Sequence, residues 1–147
     1  MTYTVVALLR RKEGISSTQF RKHYDTVHLP LLISLLGSAM PLTHTRYYVS
    51  RETPTMHWSV EPLTTLKRSA AVGEEFPPAI MYEGSLDDVA FDSLTVMVWE
   101  DKELFDTFIR ILLSKDVAEK IGEDEENFLD RGKKVVFSIT DSVTKRA

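Results

Sequence analysis

Cysteine is absent from this chain. That excludes disulfides, thiolate nucleophiles and Cys-ligated zinc or iron–sulfur centres. It also agrees with a reducing compartment, and a cytoplasmic location is expected. Glycine is scarce, with six residues, and none of them builds a Gly-rich phosphate loop. A nucleotide cofactor therefore has no support, and no Gly-x-Ser-x-Gly elbow marks a hydrolase. No His-Glu-x-x-His pattern occurs, and His23 and His28, five residues apart, fall on different faces of a regular helix. A metal site needs three or four converging ligands, so neither metal nor cofactor is expected. Positive charge is not in excess: 18 Lys and Arg stand against 22 Asp and Glu, and no basic stripe is present. Nucleic-acid binding depends on such stripes and is not expected. No run reaches the roughly 18 apolar residues of a membrane-spanning helix. The apolar stretch near the start is followed by Arg10, Arg11 and Lys12, the reverse of a signal peptide, whose charge comes first.

What is present reads as one domain, residues 1–147, with 43% hydrophobic and 27% charged residues. Such a length buries about 70% of the surface its unfolded chain exposes, so no staple is required. Residues 3–10 are apolar and β-branched, and predict a buried strand. Glu13-Gly14 turns the chain. Ser16 and Gln19 match a capping box, with Ile15 and Phe20 as its staple, and a helix is predicted from about residue 17. Phe20, Tyr24, Val27 and Leu31 give it one apolar face. Pro30 should kink or break the helix around His28-Leu29, because a proline removes a hydrogen bond and clashes with the preceding turn. A second piece should run through Leu36 and stop at Gly37.

Residues 43–51 alternate as a strand. Residues 53–78 carry Pro54, Pro62, Pro77 and Pro78 and one possible short helix; an excursion of this length is a lid candidate. Residues 93–99 form a further strand, and Asp101 caps the helix after it. Residues 115–130 read as one or two short helices broken near Gly122, and residues 133–140 as the last strand. The order β-α-β-β-α-β is the ferredoxin-like split βαβ pattern of an α+β protein. Its helices cover one sheet face. Covering the other with a second copy would make a homodimer.

The segment from Phe20 through Tyr24, His28 and Pro30 to Leu32 resembles the first helix of EthD-like proteins. In that family two aromatics and a His-x-Pro follow at these intervals. Arg11-Lys12-Glu13-Gly14 resembles the lead-in, Asp124 to Asp130 the later acidic-aromatic segment, and Arg46 to Val49 a family strand. The resemblance implies a dimeric α+β barrel. It further implies activities ranging from uncertain roles in ether-degradation operons to cofactor-free decarboxylation of aromatic acids in fungal polyketide pathways.

His28 is the foremost chemical residue. It follows Tyr24 by four residues and Asp25 by three, so both are its helical neighbours. A neutral imidazole there exchanges protons near pH 7, or else bonds a backbone carbonyl freed by Pro30. Asp25 is expected to orient the ring. His23, beside Arg21 and Lys22, reads as surface. His44, Arg46 and Tyr48 share one strand face; Thr45, Tyr47 and Val49 share the other. If the first set meets the helices, His44 and Tyr48 line a pocket with His28. Trp58 in the excursion and Trp99 at a strand end are further expected walls for a small aromatic substrate, together with Tyr24. Asp124 is expected to cap a short helix. The reaction the resemblance favours is decarboxylation of an aromatic polyketide-type acid. Cyclisation, dehydration or isomerisation, and ligand binding without turnover, are the alternatives.

Overall fold

The computed structural model describes residues 2–52, 77–140 and 142–146 of the chain. Strand β1 (Tyr3–Leu9) leads into helix α1 (Ser17–His23). The capping box forms in full: Gln19 N donates to Ser16 Oγ at 3.1 Å, and Ser16 N donates to Gln19 Oε1 at 2.8 Å. Such a cap stabilises a helix by about 1 kcal/mol. The helix does not break ahead of Pro30. It widens into a single π turn (Tyr24–His28) and continues as α2 (Leu29–Leu36). Gly37, at φ 51°, ends it in a conformation that side-chain-bearing residues avoid.

Three strands complete the sheet: β2 (Thr43–Tyr48), β3 (Ser93–Trp99) and β4 (Val135–Ile139). Their order is β2-β3-β1-β4, with every neighbouring pair antiparallel. Between β3 and β4 lie α3 (Lys102–Leu112) and α4 (Lys115–Phe128). Asp101 caps α3, its carboxylate accepting from Leu104 N at 2.9 Å. Helix α4 is one continuous helix rather than two pieces. Gly122 does not interrupt it; the missing side chain leaves room for the Arg131 guanidinium, whose Nη2 lies 3.3 Å from where a Cβ would stand. The excursion at 53–78, with its lid role and Trp58, lies almost wholly outside the described residues.

The helices pack on one face of the sheet. Strand alternation and register place Val5, Ala7, Leu9, Thr95, Met97 and Trp99 on that face. Trp99 is fully buried, meets Phe105 edge-on and Phe108 at a tilt, and donates its Nε1–H to the Ala39 carbonyl at 3.0 Å. A second apolar cluster joins Phe20, Tyr24, Phe128 and Leu129, tying α1 and the π turn to the end of α4. The opposite face carries Val6, Leu8, Leu94, Val96, Val98 and Phe137 with no helix over it among the described residues. Val135, Phe137 and Ile139 on β4 are exposed there. No described helix is long and apolar enough to cross a membrane.

Candidate active site

The π turn is the local event that builds the site. Leu29 N reaches back five residues to the Tyr24 carbonyl. In a regular α-helix the Pro30 ring would collide with the carbonyl four residues earlier, that of Thr26, and the wider turn relieves the contact. Thr26 Oγ1 also bonds the Lys22 carbonyl at 2.6 Å, a side-chain interaction that bends helices. Widening changes the angular spacing along the turn. On an ideal α-helix, residues five apart point about 140° away from each other. Here His23 and His28 reach the same carboxylate.

That carboxylate is Asp124 on α4. His28 Nδ1 lies 2.8 Å from its Oδ2, and His23 Nε2 lies 2.9 Å from its Oδ1. Asp124 therefore does not cap a helix, and His23 is not a surface group. His23 also stacks on the Phe128 ring, with centroids 4.6 Å apart. Asp124 and Phe128 are four residues apart, hence neighbours on one face of α4, and together they hold both imidazoles. Burial opposes charge on Asp124, but the hydrogen bonds from His28 and His23 outweigh it and hold the carboxyl below its ordinary value. An ionised carboxylate only accepts hydrogen bonds, so His28 carries its proton on Nδ1 and presents Nε2 as a lone pair. Burial lowers the pKa of His28 below the usual imidazole value, and Asp124 and Glu125 restore only part of the shift. The residue is only 4% exposed, and this burial favours the neutral ring.

Asp25 holds a different partner from the one expected of it. It accepts from Arg46 Nε at 2.8 Å and from the Tyr48 hydroxyl, and lies 3.7 Å from Arg21 Nε. The reason is position: the π turn aims Asp25 at strand β2, while His28 faces α4. Burial raises the Asp25 pKa, and the bonds from Tyr48 and Arg46 more than reverse it. Of the two faces of β2, the one bearing His44, Arg46 and Tyr48 meets the helices. These residues lie opposite Met97, Thr95 and Ser93 of β3. Tyr24 is buried; its hydroxyl pairs with Thr95 Oγ1 at 2.8 Å, and desolvation raises its pKa to about 12.

A cavity of about 370 Å³ opens between the sheet and the helices. His28, His44 and Tyr24 line it, with Trp99, Phe105 and Leu112 among its apolar walls. Glu125, Arg131 and Lys134 bring charge to it. Lys134 Nζ lies 2.9 Å from Glu125 Oε2, and Arg131 Nε lies 3.3 Å from Glu125 Oε1. Tyr48 does not line this cavity; its hydroxyl is spent on Asp25. Trp99 lines it as part of the core. Among the described residues no three His, Asp or Glu side chains converge as ligands, and Asp124 uses both oxygens on imidazoles. Sequence reasoning assigned Asp124 a capping role and His23 a surface role, and passed over Glu125, Arg131 and Lys134. The resemblance of the segment from Asp124 to Asp130 to a family segment was the one signal near the first of these.

A ferredoxin-like α+β domain in which an Asp-held histidine lines a largely apolar cavity is the class of protein this geometry defines. The EthD domain matches residues 12–132, and the chain belongs to the EthD family. Similar solved structures include an EthD-like protein of Ralstonia eutropha, with 14% identity, TM-score 0.51, and coverage of 99% of this chain and 96% of that one. An EthD-family protein of Bacillus halodurans has 15% identity and TM-score 0.49, covering 97% and 100%. A hypothetical protein of Arabidopsis thaliana has 13% identity and TM-score 0.46, covering 98% and 91%. At these identities the Ralstonia likeness supports the fold alone. No curated protein matches the chain.

Proposed function

We propose that this protein is a cofactor-independent decarboxylase of an aromatic, polyketide-type carboxylic acid. The observation that carries the reading is His28 at the wall of a largely apolar cavity, its Nδ1 held by Asp124, an arrangement that leaves Nε2 as the proton acceptor. A flat aromatic ligand suits walls of this kind. The cations Arg131 and Lys134 at the same cavity suit a carboxylate, which would share them with Glu125.

The substrate envisaged carries a hydroxyl beside its carboxylate. His28 Nε2 takes the hydroxyl proton and returns it to the ring carbon bearing the carboxylate. The carbon–carbon bond then breaks, carbon dioxide leaves, and its electron pair restores the aromatic ring as a phenolate, which takes a proton from water. Ring and hydroxyl act as the electron sink. Asp124 stabilises the imidazolium formed between the two transfers. The protein works as a cytoplasmic homodimer, the open apolar sheet face of one protomer covering that of its partner.

The test is an LC–MS turnover assay on a panel of hydroxylated aromatic polyketide acids, without added metal or cofactor. Native protein is expected to release carbon dioxide, and His28→Ala to lose about 10²–10⁴-fold in rate. Equal turnover by both proteins removes His28 from the chemistry. A rearranged or dehydrated product replaces decarboxylation with cyclisation or isomerisation by the same base. Saturable binding without product makes the protein a binder.

A further inference from the structure

His44 also faces this cavity, and its two ring nitrogens are not equivalent. Arg46, two residues along the same strand face, places Nη1 3.1 Å from His44 Nδ1 and 3.3 Å from the His44 carbonyl. A guanidinium only donates, so Nδ1 of His44 accepts and the ring proton resides on Nε2. Arg46 is in turn held by Asp25, which also binds Tyr48. With Nδ1 occupied, Nε2–H is the group left for the cavity. The Tyr24 ring stands between the two histidines, meeting His28 at 5.9 Å and His44 at 6.1 Å, both edge-on. His28 therefore offers the cavity an acceptor, and His44 offers it a donor.

We propose that His44 Nε2–H is the donor for a substrate oxygen, opposite the proton-accepting Nε2 of His28, and that Arg46 is the positioning residue that sets this tautomer. The inference rests on the reading of the cavity as a substrate site. It deepens that reading by naming the feature recognised, a phenol or ketone oxygen beside the carboxylate. Burial and the Arg46 charge keep His44 neutral, lowering its pKa to about 4, so the ring has one N–H to donate and one nitrogen to accept. The other titratable or charged groups acting on it are Asp25, Tyr24 and His28, all on the π turn. As the hydroxyl loses its proton to His28, negative charge gathers on that oxygen, and the His44 bond strengthens with it.

Nitrogen-15 NMR of the histidine rings reads the tautomers without turnover. Native protein is expected to show His44 protonated on Nε2 and His28 on Nδ1. Arg46→Met should turn His44 into a mixture of tautomers and leave His28 unchanged. Arg46→Lys, which keeps the charge beside Asp25 but loses the fork, should do the same if the first variant fails to fold. The ligand probes are 3-hydroxy-2-naphthoate and 2-naphthoate. The hydroxy acid should shift the His44 Nε2 resonance and bind native protein about tenfold better than the parent acid, an advantage that His44→Phe abolishes. A His44 proton on Nδ1, a tautomer indifferent to Arg46, or a hydroxy acid that leaves His44 Nε2 unmoved overturns the inference. A shifted Nε2 without any carbon dioxide keeps it and removes only the decarboxylase reading.

Discussion

Two histidines face one cavity with opposite hydrogen-bonding polarity, and each owes its state to a single neighbour. For His28 that neighbour is Asp124. Asp124→Asn removes the charge that raises the His28 pKa against burial, so the pKa should fall further. A base must be neutral to act, so activity rises with pH through this pKa and levels off above it. The acid limb of kcat/KM is therefore expected to move to lower pH in Asp124→Asn, with a lower plateau because the ring is less firmly held. A pH–rate profile of the two proteins checks both features.

His44 gives a residue-level expectation for stability. Its folded pKa of about 4 lies below the unfolded imidazole value, so the unfolded chain binds the extra proton first. The His44 contribution to folding stability should then fall as pH drops from about 6.5 to about 4, and flatten beneath that. Asp25 and Asp124 have folded pKa values below the ordinary carboxylate value, and their losses begin at lower pH than that of His44. Thermal melts between pH 7 and pH 4.5 should show a smaller decline for His44→Gln than for the native chain. An equal decline would assign the loss to other groups.

At the scale of elements, the π turn is the feature on which the site depends. Its cause is Pro30, and its effect is to bring His23 and His28 to one carboxylate. Pro30→Ala lets the ordinary hydrogen-bond ladder run through, since a regular helix interior favours Ala over Pro by about 3 kcal/mol and the wider turn loses its steric reason. The helix should then regularise and His28 should rotate away from Asp124. The expected result is a melting temperature no lower than native, together with loss of the downfield Nδ1–H resonance of His28 and of turnover. Retention of that resonance would mean that packing of Phe128 against both imidazoles, at 4.6 and 4.8 Å, sustains the π turn without the proline.

For the whole molecule the decisive surface is the sheet face over which no helix packs among the described residues, exposed chiefly along β4. Val135, Phe137 and Ile139 are 49%, 44% and 37% exposed, in register beside Leu8, Val6 and Thr4 of β1. A contiguous apolar face of this kind draws a partner, and two sheets packed face to face bury both. Phe137→Asp should convert a dimer into a monomer by sedimentation velocity, with little loss of protomer secondary structure. A native chain that sediments as a monomer would refute the homodimer and leave the face for another occupant.

The sequence by itself determined the element order, because its signals are local. The Ser16–Gln19 box, the alternation in residues 43–51, of which 43–48 form β2, the strand signal at 93–99, and Gly37 as a stop each act within a few residues of themselves. It also singled out His28 and the family it belongs to. Partners distant in the chain were legible only in the tertiary structure. Asp25 is three residues from His28, yet it turns to Arg46 and Tyr48, while the carboxylate that meets His28 is 96 residues away on α4. Helical periodicity could not foresee this, because Pro30 changes the period at the very place where the histidines stand. The sheet likewise decided which face of β2 looks inward, since that depends on pairing with β3 rather than on the strand's own alternation.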